Sequence, residues 1–159
     1  MVGEEMLQTV LEELRISNGG AWAVGDALDQ KANFLFAGGS VVFGVIAALE
    51  AGQASQRGLC VWVILGLCVA LYIAMTIVFG FVISPRKYRT ALREDRGTIE
   101  HEVLERDSSV ALLSLIEGYI ETIAHNRGVN KKKSRGVKWS AGLLAALVTL
   151  LIVIGLIAQ

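Results

Sequence analysis

Three stretches of this chain carry no Asp, Glu, Lys, Arg or His: residues 32–49, 59–83 and 139–159, which are 18, 25 and 21 residues long. The hydrocarbon core of a bilayer is about 30 Å thick, and a helix rises about 1.5 Å per residue, so about 20 apolar residues cross it. Each stretch meets that requirement, and an ordinary water-soluble globular domain is excluded. The expected fold is all-α: an integral membrane protein with three transmembrane helices plus a small helical cytoplasmic part. The spans fall at about 32–49, 59–83 and 139–158, the cytoplasmic segments are 1–31 and 84–138, and 50–58 is an outer loop, all in one membrane domain.

Charge supplies the orientation. The chain has 15 Lys+Arg and 15 Asp+Glu, so no net basic charge supports nucleic-acid binding, and no nucleic-acid partner is expected. The distribution is uneven: two basic residues in 1–31, one in 50–58 and twelve in 84–138. Lys and Arg collect on the cytoplasmic side, so the basic middle segment and the N-terminus are expected inside. Trp139 and Tyr88 stand at inner ends of spans and Trp62 near an outer end, as interfacial aromatics do. The first 15 residues are acidic, unlike the basic start of a signal peptide.

Local patterns divide the polar segments. Leu7, Val10, Leu11 and Leu14 follow helical spacing over residues 4–16. Ser17-Asn18-Gly19-Gly20 is expected to break that helix, with a second one running from Ala21 into the first span. Pro85 is expected to stop the second span. Residues 86–126 look helical, with a break at Asp107-Ser108-Ser109, Ser109 as an N-cap and Gly128 past a helix end. Leu112, Leu115, Ile116, Tyr119, Ile120 and Ile123 form one apolar stripe. Cys60 and Cys68 lie eight residues apart, about 12 Å along one helix, too far for a disulfide.

The sequence is poor in catalytic signals. His101 and His125 are 24 residues apart with no metal-ligand spacing around them, and no nucleophile elbow, zinc motif or phosphate loop is present. No enzyme activity, metal or cofactor is expected. The spans lack the ionisable groups of coupled transport. Ser40, Gly44 and Ala48 form a small-residue stripe suited to helix packing, within the chain or between copies. The run Lys131-Lys132-Lys133-Ser134-Arg135 admits three readings: a topology anchor, a contact for anionic lipid headgroups, or, with Arg86, Lys87 and Arg89, a ring that holds a phosphate-bearing ligand. Asp29 and Lys31 place charge where the chain enters the bilayer. Two readings stand: Lys31 snorkels at the interface, or Asp29 pairs with a neighbour of Lys31 on another helix, since residues two apart do not face each other.

The layout resembles the small membrane effectors of Pycsar-type bacterial anti-phage systems. The resemblance rests on "ALDQKANFLFAGGSVVFGVI", on "SPRKY" after the second span and on "YIETIAHNRGVNKKKSRGVKWS" before the last. The matching positions are Asp29, Lys31, Ala32, Pro85, Arg86, Asn126 and Lys132 or Lys133, over about residues 8–158. The resemblance implies an effector that responds to a cyclic pyrimidine nucleotide from a partner nucleotide cyclase and impairs the inner membrane, ending infection abortively. No cyclic-nucleotide-binding barrel is recognisable, so any sensing must use the helical segments. The candidate ligand-binding residues are Asp29, Lys31, Arg86, Lys87, Asn126, Lys132 and Lys133. The expected partners are membrane lipid, further copies in a homo-oligomer and the cyclase. The alternatives are a membrane anchor that recruits a soluble partner through 86–126, and a small channel subunit.

Overall fold

The computed structural model describes residues 2–51, 59–84, 88–90 and 107–157. These form three helices and no strand: α1 (Val2–Ala51), α2 (Leu59–Ile83) and α3 (Ser108–Ile157). All three are long and apolar enough to cross a membrane. Of the outer loop expected at 50–58, residues 50 and 51 belong to α1; its residues 52–58, the Pro85 stop, Arg86, Lys87, residues 91–106 of the helix expected over 86–126 and His101 lie outside the described residues, as does the side chain of Cys60. The chain divides into two compact units, Met1–Asp26 with Pro85–Lys131, and Ala27–Ser84 with Lys132–Gln159.

In the first unit, α1 and α3 run parallel. Ser108 donates to the Glu4 carboxylate at 2.6 Å, and fourteen and eighteen residues further on Asn126 donates to Asn18 at 3.2 Å. Leu7, Leu11, Leu14, Asn18, Ala21 and Gly25 are buried or half-buried. Their alternating steps of four and three residues are the spacing of a coiled-coil seam.

Three local expectations are corrected here. Ser17-Asn18-Gly19-Gly20 does not break the chain; all four residues lie inside α1. Each glycine costs a helix about 1 kcal/mol relative to Ala, but bonds from α3 to Ser17, Asn18 and the Ala21 carbonyl hold the backbone helical at this place. Gly128 likewise lies inside α3 rather than past its end. Asp107, not Ser109, caps α3, because its carbonyl accepts from the amides of Val110 and Ala111. On the expected stripe, Ile123 is buried but Ile120 is 55% exposed.

In the second unit, α1 and α3 are again parallel and α2 runs against them. Phe36 stacks on Phe79 and Phe43 on Tyr72, with ring centroids 4.2 and 4.4 Å apart. The core is Ile46, Cys68, Met75, Leu147 and Ile154. Leu28, Ala32, Leu35, Gly39, Val42 and Ile46 repeat the four-and-three steps, all buried or half-buried. Lipid tails are as apolar as these side chains, so close packing rather than water exclusion holds the helices together. Gly39 permits the closest approach, since a Cβ there would run into the Met75 Sδ and Cε. Val41, Val63, Phe81 and Leu156 are exposed outward, as side chains that face lipid are.

Candidate functional site

The polar residues that the sequence singled out fall into two constellations, one in each unit. In the second unit, Lys133 donates to both carboxylate oxygens of Asp29, at 2.8 and 2.7 Å. The Lys133 side chain is 4% exposed and that of Asp29 is 36% exposed. A buried ammonium without a counter-charge is very costly. Asp29 supplies that charge from the neighbouring helix. Lys132 is exposed although it precedes Lys133 directly, because each residue turns the helix by about 100°. The lysine run is therefore split: one member is buried and paired, and others face outward. Lys31 is exposed as well.

In the first unit, the centre is Asn126, which is completely buried. Its amide brackets the backbone of Arg89: Oδ1 accepts from the Arg89 amide at 3.0 Å and Nδ2 donates to the Arg89 carbonyl at 3.1 Å. The same Nδ2 donates to Asn18 Oδ1. One helical turn later, Asn130 accepts from the Tyr88 hydroxyl at 2.7 Å and donates to the Ala21 carbonyl at 2.7 Å. The Tyr88 ring packs on Trp22, centroids 4.7 Å apart, and its hydroxyl fills the space where a Cβ on Gly25 would stand. Arg127 reaches Ser17 at 3.3 Å. Two asparagines four residues apart on α3 thus clamp the non-helical residues 88–90 and α1 together.

The structure brings Asp29 to Lys133, and it sets Asn126 in the clamp of the first unit. Lys31 and Lys132 stay on the outside. Of the packing stripe, Ser40 donates to the Phe36 carbonyl at 2.9 Å and lies 3.1 Å from the Tyr72 hydroxyl. Gly44 and Ala48 are exposed, with nothing near a Cβ at Gly44. The sequence did not mark Gly25 or Asn130, and it offered Tyr88 only as an interfacial aromatic and Asn18 only as part of a helix break. The available signal was the Asn126-x-x-x-Asn130 spacing, which puts two amides on one helix face. The Ser140 hydroxyl is buried without a hydrogen-bond partner among the described residues.

The clamp and the ion pair are both held by neutral or balanced contacts. Among the described residues, no three His, Cys, Asp or Glu side chains gather as a metal site would require. What this arrangement can do is fix the register of α1 against α3 at defined points, and release it if those contacts are replaced. A family model described as the Pycsar effector protein domain, PycTM, matches residues 23–159. No curated protein and no solved structure matches the chain significantly.

Proposed function

From the chain's membership of the Pycsar effector family, PycTM, we propose that it acts in anti-phage defence as a membrane effector, switched on by a cyclic nucleotide from a partner cyclase and then impairing the inner membrane. Family membership carries this reading, and three helices able to cross a bilayer fit it. The cyclic nucleotide acts on the cytoplasmic helices, and several copies repack their spans in response. A ligand can do this only by binding one arrangement better than the other. The Asn126 clamp and the Asp29–Lys133 pair support such a mechanism because each holds α1 and α3 by a few replaceable polar contacts.

Co-expression with a cognate cyclase tests the reading, with membrane potential followed by a voltage-sensitive dye. The expected result is depolarisation only when effector and active cyclase are both present. Unchanged potential with every cyclic pyrimidine and purine nucleotide overturns it. A second reading, an anchor for a soluble partner, draws on exposed Val110, Leu113 and Ile120 of α3. It predicts one stoichiometric protein partner recovered by crosslinking without nucleotide.

A further inference from the structure

The Asp29–Lys133 pair sets α1 and α3 level in the second unit. About one and a half turns beyond it, each helix presents an exposed aromatic ring: Phe34, 84% exposed, and Trp139, 71% exposed. An exposed tryptophan such as Trp139 marks a membrane–water boundary, and Phe34 stands near its level on α1. On one side of them the outward residues are apolar, including Val41 on α1 and Ile152 on α3. On the other side they are polar, with Asp26, Gln30 and Asn33 on α1, and include four cations: Lys31 on α1, and Lys132, Arg135 and Lys138 on α3, all exposed. At about 100° per residue, Lys132, Arg135, Lys138 and Trp139 occupy roughly a 120° arc of α3. This arc is turned away from buried Lys133 and Ser140.

Among the described residues no acid pairs with this group. Asp29 is taken up by Lys133, and none of the four cations has an ion pair or side-chain hydrogen bond among the described residues. Four unpaired cations at the level of an aromatic rim match a ligand that is anionic at one end and anchored in hydrocarbon at the other. We propose that this face binds the phosphates of anionic phospholipid headgroups in the adjoining leaflet. A free phosphate ester offers the same charge, but the cations lie on an outward helix face bordering lipid, where a headgroup arrives already concentrated. The long lysine and arginine stems lie along the apolar surface and carry their charges to the headgroup layer. The proposal is independent of the cyclic-nucleotide reading.

The test uses the full chain with Trp22→Phe and Trp62→Phe, which leaves Trp139 as the reporter. It is reconstituted in phosphatidylcholine vesicles that contain the same minor fraction of anionic phosphatidylglycerol throughout, with the bromines carried either by the phosphatidylglycerol or by an equal amount of the phosphatidylcholine, and these bromines quench tryptophan at close range. The expected result is about threefold enrichment of the anionic lipid at Trp139, falling as salt rises. The combination Lys132→Gln, Arg135→Gln and Lys138→Gln brings the two lipids to parity. The charge-preserving combination Lys132→Arg, Arg135→Lys and Lys138→Arg keeps the enrichment, which separates charge from misfolding. Equal quenching by both lipids in the parent, or enrichment that survives the glutamine changes, overturns the proposal. Loss of the enrichment on adding millimolar inorganic phosphate at constant ionic strength also overturns it, and assigns the cations to a soluble phosphate.

Discussion

Lys133 and Asp29 share one ion pair but not one environment, so their substitutions are not equivalent. Asp29→Asn strands an ammonium whose side chain is 4% exposed, whereas Lys133→Met strands a carboxylate that is 36% exposed and can turn to water. Breaking a buried pair costs about 3–5 kcal/mol when the remaining charge cannot be solvated. Asp29→Asn is therefore expected to destabilise by about 2–4 kcal/mol, and Lys133→Met by about 1 kcal/mol. Equilibrium unfolding in mixed micelles measures both, and equal costs would show that the burial of Lys133 does not govern the pair. Asn126 extends the same reasoning to a neutral group. Asn126→Asp keeps the shape, but it replaces the two donors that face the Arg89 carbonyl and Asn18 Oδ1 with an acceptor. Two bonds become repulsions, and a loss of about 3 kcal/mol or more is expected. Asn126→Ala, which only removes bonds, is expected to cost less in the same assay.

At the scale of the helix, glycines that look alike in the sequence differ by what surrounds them. A Cβ at Gly19 or Gly20 meets nothing within 4 Å, so alanine there recovers helix propensity and is expected to stabilise by up to about 1 kcal/mol each. A Cβ at Gly136 would run into the Val82 Cγ2, a β-branched side chain with little room to turn. Gly136→Ala is expected to destabilise by about 1–3 kcal/mol. Gly39→Ala should cost less, because the atoms it meets are the flexible end of Met75. Thermal melts of the four variants check this order, and a stabilised Gly136→Ala protein would contradict the packing of α2 on α3. These glycines also show what could be read in advance. The three apolar helices were legible, because an uncharged run of sufficient length is a property of composition alone. The continuity of α1 through Ser17-Asn18-Gly19-Gly20 was not, because a local penalty of about 1 kcal/mol per glycine is outweighed by bonds from residues more than a hundred positions away. The clamp on residue 89 was equally hidden, since its bonding groups are the backbone amide and carbonyl of Arg89. The Lys133–Asp29 partnership was legible only as one of two readings of Asp29 and Lys31, and only the fold selects Lys133 from the lysine run.

For the molecule as a whole, helix direction and charge together restrict the path through the membrane. In the second unit the Asp29–Lys133 pair and the approach of Gly38 to Leu144, 3.7 Å from a Cβ there, make α1 and α3 parallel. The contacts of Phe36 with Phe79 and of Ser40 with Tyr72 set α2 against them. Two parallel spans enter the bilayer from the same face, so the residues that lead into them, Lys31 on α1 and Lys138 on α3, share one side, and the far end of α1, at Ala51, takes the other. Geometry does not say which side is which; the basic residues do. Twelve of the 15 Lys and Arg lie in 84–138, and cytoplasmic flanks collect such residues. In a chain whose own Cys60 and Cys68 are replaced by Ala, a cysteine introduced at Ala54 is therefore expected to react with a membrane-impermeant maleimide added to intact spheroplasts. A cysteine at exposed Ala124 is expected to react only after the membrane is opened. Labelling at both positions from outside would break the parallel arrangement of α1 and α3. Labelling at Ala124 alone would keep that arrangement and reverse the charge assignment, placing the cations of α3 against the outer leaflet and removing the inner-leaflet headgroups as their ligand.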